Sequence, residues 1–301
     1  MSAVEPFQRA LVIANPISGA NRGEAVGSEL QRQLELRGLP TDLHLTTSAG
    51  DARTTARQLQ EGVDLVVSVG GDGTLREILT GLRERGEATP PVKVGLLPMG
   101  TGNCLGVDLK LPLDVEGAVE VLLAGRTTEV DLTEVNGALS FLIVGVGPDA
   151  EVVEEVHRRR QGRRLSRWAY FPATFRVWSR LNATPLEVEL DGRPVPGTFA
   201  QVMASNLVHY GGLVRVSPDR ILDDGLLEVF LFPTASRLQL ALQALRFSLG
   251  RAPGGSIQLH RASRIRVTAP SPVPLQIDGD PGGTTPAEIA VTGERFQLLV
   301  P

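Results

Sequence analysis

Three glycine-bearing loops carry the groups best suited to chemistry. The apolar run Leu65–Val69 leads into Gly70-Gly71-Asp72-Gly73-Thr74, and a helix-like stretch over Leu75–Leu82 follows. Glycines at such a junction let the backbone turn sharply and approach an oxyanion, while the helix behind supplies unpaired N–H groups and the positive end of its dipole. A plain strand–helix turn rarely needs three glycines around one carboxylate, and Asp72 would repel a phosphate unless a cation or hydroxyl lay between them. The loop therefore reads as a nucleotide site. Val94–Leu97 leads in the same way into Pro98-Met99-Gly100-Thr101-Gly102-Asn103, where Thr101 and Asn103 offer hydrogen bonds to a base, ribose or phosphate. A third loop, Asn15-Pro16-Ile17-Ser18-Gly19, closes the first apolar run, Leu11–Ala14. A Walker arrangement is excluded, because the only lysines are Lys93 and Lys110 and neither follows a suitable glycine loop.

Positioning those loops requires a parallel sheet, in which loops at the carboxyl ends of neighbouring strands converge on one crevice. The first 130 residues alternate accordingly. Helix periodicity over Gly23–Arg37, a strand at Leu43–Thr46, a helix over Asp51–Glu61 capped at Asp51, a strand at Val92–Leu97 and a helix over Leu113–Leu123 ended at Gly125 imply βαβ units covered on both faces. After about Val130 short strands dominate: Leu186–Leu190, Phe199–Ala204, Leu226–Phe232, Ile257–His260, Arg264–Thr268 and Leu275–Ile277. Asp191-Gly192 and Asp278-Gly279 mark turns between them, and helices are expected over Glu151–Arg160 and Ser236–Leu249. The expected organisation is a three-layer α/β domain over 1–130 and a mostly antiparallel β-sandwich over 131–289, with the last strands, about 290–301, returning to the first domain.

Composition narrows the classes. The 301 residues are 42% hydrophobic and 21% charged, ordinary for a folded chain. Apolar runs such as Phe141–Val146 fall far short of the ~18 residues that span a bilayer. Met1–Arg9 lacks the pattern of a leader, so a cytoplasmic location is expected. Cys104 is the only cysteine, which rules out disulfide scaffolds and cysteine metal sites within the chain. The net charge of −4 opposes nucleic-acid binding, yet it is uneven: between His157 and Leu181 lie eight arginines, Arg158 to Arg180, with both tryptophans and no Asp or Glu. Such an island is either a solvated basic face or an interfacial patch, arginine for anionic headgroups and Trp/Tyr at headgroup level; membrane contact is the favoured reading.

Taken together, Asn15-Pro16-x-Ser18-Gly19, Gly70-Gly71-Asp72-Gly73-Thr74 with Glu77, and Leu97-Pro98-x-Gly100-Thr101-x-Asn103 resemble the diacylglycerol kinase catalytic domain. That domain is shared by diacylglycerol, sphingosine and ceramide kinases and by bacterial lipid kinases. The likeness continues through Asn206…Gly211-Gly212, Pro218…Asp223-Asp224-Gly225-Leu226-Leu227-Glu228-Val229 and Ile277-Asp278-Gly279-Asp280, covering nearly the whole chain in order. The resemblance implies that Gly70–Arg76 (Gly70, Gly71, Asp72, Gly73, Thr74, Leu75 and Arg76) binds ATP, helped by Thr46 and Thr101. Asn15, Ser18, Gly19, Glu77, Gly100 and Asn103 complete the cofactor set. It implies Mg²⁺ held by the Asp224 side chain and the carbonyls of Ile221 and Leu226, oxygen ligands that suit a hard cation; on the residues alone, Asp223-Asp224-Gly225 reads equally as a strand-entry turn. It also implies a general base at Asp280, assisted by Asp72. Here the chain departs from the family's Asp-Gly-Glu: Asp280 is one methylene shorter. Cys104 replaces a common aspartate and Arg76 a common asparagine.

Other constellations are weaker. Gly145–Ala150 fits a dinucleotide fingerprint with alanine last, but no acidic residue closes a βαβ unit, and it reads as a tight turn. His44, His157, His209 and His260 lack metal-ligand spacing, and no Gly-x-Ser-x-Gly elbow occurs. The expected activity is transfer of the ATP γ-phosphate to a lipid hydroxyl, diacylglycerol giving phosphatidic acid, at a membrane surface met through Arg158–Arg180. A homodimer is compatible with this reading and nucleic acid is not expected. The alternatives are a kinase of the same fold with a soluble acceptor, as in NAD kinases, and a non-catalytic nucleotide- or lipid-binding protein.

Overall fold

Alternation decides the first unit. In β1 (Ala10–Ala14), Val12 and Ala14 face one way and Ile13 the other, and all three are closed to solvent, as in a strand covered on both sides. The computed structural model describes residues 7–86, 92–160, 184–207, 209–210, 214–215, 221–233 and 257–301. It places β1 between β2 (Thr41–Leu45) and β3 (Leu65–Gly70), with β4 (Lys93–Pro98) beyond β3, all parallel. The connections are α1 (Ser18–Asn21), α2 (Gly23–Leu36), α3 (Asp51–Arg57), α4 (Asp72–Glu84), α5 (Cys104–Asp108) and α6 (Val115–Ala124). Leu30 and Leu34 of α2 and Val119 and Leu122 of α6 pack with Val12, Val67 and Val69 on one face. Ala52 and Ala56 of α3 and Ile78 of α4 pack with Ile13 and Val66 on the other. The result is a three-layer α/β/α unit made of the chain up to Val130 together with Arg295–Pro301, whose Leu298 pairs with Val94 of β4 in parallel.

The second unit, Asp131–Glu294, is antiparallel. Its elements are β5 (Thr127–Val135, entered from the first unit), β6 (Ala138–Ser140), β7 (Ile143–Val146), α7 (Pro148–Arg160), β8 (Glu187–Leu190), β9 (Arg193–Pro194), β10 (Phe199–Ser205), β11 (His209–Tyr210), β12 (Val214–Arg215), β13 (Leu227–Pro233), β14 (Gln258–Ala262), β15 (Arg264–Thr268), β16 (Pro274–Ile277), β17 (Asp280–Thr284) and β18 (Ala287–Leu299). One sheet runs β14-β13-β10-β7-β16-β17. Val144, Val202, Val229 and Leu231 from it share one core with Val188 of β8, Ile265 and Val267 of β15 and Ile289 of β18, which is sheet packed on sheet. Three hairpins turn on Asn136-Gly137, Asp191-Gly192 and Asp278-Gly279, each with positive φ at both positions, the type I′ geometry that matches strand twist.

Several boundaries differ from expectation. α4 starts at Asp72 rather than Leu75, because Gly71 is its N-cap and its carbonyl already accepts from the N–H groups of Thr74 and Leu75. α3 ends at Arg57, and Gly50 rather than Asp51 is its cap; the Asp51 carboxylate instead accepts from the Thr47 N–H and hydroxyl. The expected turn at Gly145–Ala150 is the end of β7 and the start of α7, joined at Gly147 with φ 112°. α6 is capped by the Asp114 carboxylate, which accepts the Gly117 N–H. The helix expected over Ser236–Leu249 lies outside the described residues.

α3 and α4 are in close contact at Gly81, where a Cβ would overlap the Arg53 carbonyl oxygen and crowd Ala56. In an open helix Gly→Ala stabilises by about 1 kcal/mol. Here overpacking reverses the sign, and Gly81→Ala is expected to lower stability by about 1–3 kcal/mol in urea unfolding. An unchanged or raised midpoint would contradict the close helix contact.

Candidate active site

In the first unit the strand order changes direction between β1 and β3, and a crevice opens at such a point beyond the carboxyl ends. The loops there are laced by backbone. The Asn15 N–H bonds to Val69 O at 3.0 Å, Gly19 N–H to Met99 O at 2.8 Å, Met99 N–H to Gly70 O at 2.7 Å and Thr46 N–H to Ala14 O at 2.9 Å. Asn15 O accepts from both the Ser18 N–H and hydroxyl. Gly71 and Gly100 touch through main chain: a Cβ on Gly71 would lie 3.0 Å from the Gly100 Cα, and one on Gly100 2.6 Å from the Gly71 Cα. Asn103, itself at φ 49°, turns the β4 loop by accepting the Gly100 N–H at 2.7 Å. The Asp72 carboxylate accepts the Cys104 N–H at 3.0 Å, so it joins the start of α4 to that of α5.

Asn15, Ser18, Gly19, Thr46, Gly70, Gly71, Asp72, Gly100 and Asn103 thus share one hydrogen-bonded rim. Gly73 and Thr101 are exposed beside it and Arg76 is half-buried. Thr74 and Leu75 are buried and their N–H groups are bonded to Gly71 O, so the Leu75 side chain belongs to the core. Glu77 holds the neighbouring loop, accepting the Gly50 N–H at 2.9 Å. With those N–H groups spent on holding the loops together, what the rim offers an anion is the first turn of α4, at Asp72 and Gly73, with one carboxylate alongside.

In the second unit the Ile221–Leu226 loop is pinned from both sides by buried Asp131. Asp131 N–H bonds to Leu222 O at 2.8 Å, and the Asp131 carboxylate accepts the Gly225 N–H at 2.6 Å. Asn206 Nδ2 donates to Asp131 O and Leu222 O, at 3.3 and 3.5 Å. Asp224 Oδ1 accepts the Leu226 N–H at 3.1 Å. Neither Asp131 nor Asn206 carries a local sequence signal for this task; both act across more than 15 residues. Among the described residues no group of three or more His, Cys, Asp or Glu is assembled for a metal. A cation on this loop would draw on one carboxylate and main-chain carbonyls, a donor set that fits a hard ion.

Asp280 opens β17 and pairs with Ile277 across the hairpin. The hairpin is held by Asp278, whose carboxylate accepts from Ser140 Oγ (2.7 Å) and the N–H groups of Phe141, Leu142 and Ile143 (3.3, 3.1 and 3.0 Å). Gln276 Oε1 accepts the Gly279 N–H at 2.8 Å while its Nε2 donates to Asp149. The Asp-Gly turn signal locates Asp278 but not this long-range work. On α7, burial pushes the Glu151 carboxyl up, and neighbouring Glu154 adds to the effect. Of the basic island, Arg158 pairs with Glu155 at 2.6 Å; residues 161–183 lie outside the described residues. His44 meets Asp51 at 3.1 Å and His260 meets Gln258 at 3.1 Å. Among the described residues no helix is long and apolar enough to cross a membrane.

A parallel α/β unit with glycine loops at its switch point, followed by an antiparallel sandwich, defines the NAD kinase/diacylglycerol kinase-like class of folds. Residues 9–135 match the diacylglycerol kinase catalytic domain and residues 142–300 the YegS C-terminal NAD kinase beta sandwich-like domain. The chain belongs to the family that the second of these domains defines, here preceded by a diacylglycerol kinase catalytic domain, and its relatives mark it as a kinase. It is 28% identical to a diacylglycerol kinase of Staphylococcus epidermidis over 98% of this chain and 92% of that one. With a diacylglycerol kinase of Staphylococcus saprophyticus it shares 26% over 98% and 96%. A putative diacylglycerol kinase from Bacillus anthracis str. Sterne superposes with a TM-score of 0.80 at 23% identity, over 99% of both chains.

Two outcomes follow from this geometry. Asp278→Asn puts an NH₂ group among N–H donors and is expected to cost about 2–3 kcal/mol in urea unfolding; an unperturbed midpoint would show that the hairpin has another anchor. The Asp51 carboxyl sits below its ordinary 3.8, chiefly through the Thr47 N–H bonded to it. A depressed folded-state pKa contributes stability above the unfolded value near ~3.9 that is lost as pH falls through the folded one. Asp51→Asn is therefore expected to flatten the decline of stability between about pH 5 and 3, read from denaturation midpoints against pH.

Proposed function

We propose that the chain is an ATP-dependent lipid kinase that phosphorylates the free hydroxyl of diacylglycerol. The observation that carries this reading is the rim at Gly70–Thr74. There the α4 N-terminus, a main-chain contact between two glycines and the Asp72 carboxylate meet where β3 and β4 end, in a stretch that matches the diacylglycerol kinase catalytic domain. Main-chain N–H groups in the first turn of α4 would bind the phosphates of ATP, with Thr46 and Thr101 beside the nucleoside. The Ile221–Leu226 loop would hold Mg²⁺ through the Asp224 carboxylate and the Ile221 and Leu226 carbonyls, and bound there the ion would supply positive charge. The acceptor hydroxyl oxygen attacks the γ-phosphorus, and the bond from that phosphorus to the β–γ bridging oxygen breaks. ADP leaves, and the hydroxyl proton passes to Asp280. Positioning and charge stabilisation dominate such transfers. Arg158–Arg180, rich in arginine and tryptophan, would meet an anionic lipid surface.

Labelled ATP with Mg²⁺ and mixed vesicles containing diacylglycerol tests this. Wild type is expected to yield labelled lipid, and Asp280→Asn and Asp72→Asn to lose about 100-fold or more of kcat while folding normally. Label that persists in Asp280→Asn would move the base to another residue. Label that appears on a soluble acceptor and not on vesicles would replace the lipid reading with a NAD kinase-like one. Tight ATP binding without transfer to either would leave a nucleotide-binding protein.

A further inference from the structure

Arg261 stands where a cation would be resisted. Its Nη2 lies 3.4 Å from Glu228 Oε1 and 3.8 Å from Asp224 Oδ2, so one nitrogen straddles both carboxylates. The straddle is fixed by register, since β13 and β14 set Glu228 directly opposite Arg261. The Glu228 side chain is only 5% exposed, against 17% for Asp224 and 46% for Arg261. Glu228 is therefore the buried counter-charge that keeps the guanidinium in place, and Asp224 the more open second partner. Nothing in the loop's own fold requires Arg261, because Asp131 and Asn206 already pin it.

We propose that Arg261 competes with a divalent cation for Asp224 and thereby sets how tightly the Ile221–Leu226 loop binds metal. The inference rests on the Mg²⁺ reading above. An ion held by Asp224 sits within about 2.0–2.6 Å of a carboxylate oxygen, and so within a few ångströms of the guanidinium. Like charges that close repel appreciably even through water. Metal entry therefore requires Arg261 to withdraw onto Glu228 alone, and metal departure lets it return to Asp224.

The test uses the full chain and Mg²⁺ alone, read as the shift of the thermal unfolding midpoint with Mg²⁺ concentration, because a ligand that binds only the folded state raises that midpoint. Arg261→Gln by itself would leave Glu228 buried without its counter-charge, so Arg261→Gln with Glu228→Gln serves as the second variant. Wild type is expected to show a Mg²⁺-dependent rise that Asp224→Asn abolishes. Both Arg261 variants are expected to reach half-effect at about tenfold lower Mg²⁺. A half-effect unchanged or weakened in the double variant, with the rise still abolished by Asp224→Asn, overturns the competition and leaves the metal site standing. A rise that survives Asp224→Asn, or no rise in any protein, overturns the metal reading and the competition with it.

Discussion

At Gly71 and Gly100 main chain rests on main chain, with no room for a methyl group between the β3 and β4 loops. Much of the first unit depends on that contact. It lets Met99 donate to Gly70 O and accept from Gly19 N–H, so a single residue binds the loops of β1, β3 and β4 into one rim. It also fixes the direction in which α4 leaves β3, and with it where the helix N–H groups point. A side chain at either glycine would part the loops, and the parallel strands beneath would then present separate turns rather than one continuous rim. The glycines are needed for proximity; neither Gly71 nor Gly100 is at positive φ.

The second unit solves its positioning problem with carboxylates. Asp131 pins the Ile221–Leu226 loop, Asp278 pins the hairpin that starts β17, and Asp191 accepts from the N–H groups of Ser263 and Arg264 and the Ser263 hydroxyl. Asp278 and Asp191 each take several donors and Asp131 takes the Gly225 N–H, all across tens of residues, where a neutral acceptor would be weaker. Antiparallel sheets with short strands leave loop backbone unsatisfied at their ends. An aspartate in a turn is short enough to reach those groups without disturbing the core.

Legibility in the sequence follows the range of the interaction responsible. Strand–helix alternation, the glycine loops and the two Asp-Gly hairpins depend on residues within a few positions, and the folded elements lie close to where periodicity and turn chemistry put them; the Asn136-Gly137 hairpin follows the same chemistry but was not read from the sequence. Helix starts were harder to read. α4 begins three residues earlier than its apolar pattern because Gly71 caps it, and Asp51 has a carboxylate that serves the preceding loop instead of the helix. The pins Asp131, Asn206 and Asp278, and the support of Gly50 by Glu77, were not legible as such. Their partners lie 16 to 138 residues away, and no spacing rule encodes them.

The shortened side chain at Asp280 is best understood through that hairpin. Asp278 and Gln276 hold its turn through donors on Phe141–Ile143 and on Gly279, and the Ile277–Asp280 pair sets the register of β17. Four residues that each satisfy a partner cannot slide by an ångström without leaving buried groups unbonded, which costs more than a single methylene is worth. The backbone at Asp280 is therefore unable to advance to make up for the missing length. In the proposed reaction, any compensation would have to come from the acceptor's side, by a hydroxyl that seats closer to the strand or through one bridging water, an arrangement compatible with general-base chemistry. Under that proposal the departure from glutamate bears on how an acceptor would be seated rather than on how the protein folds.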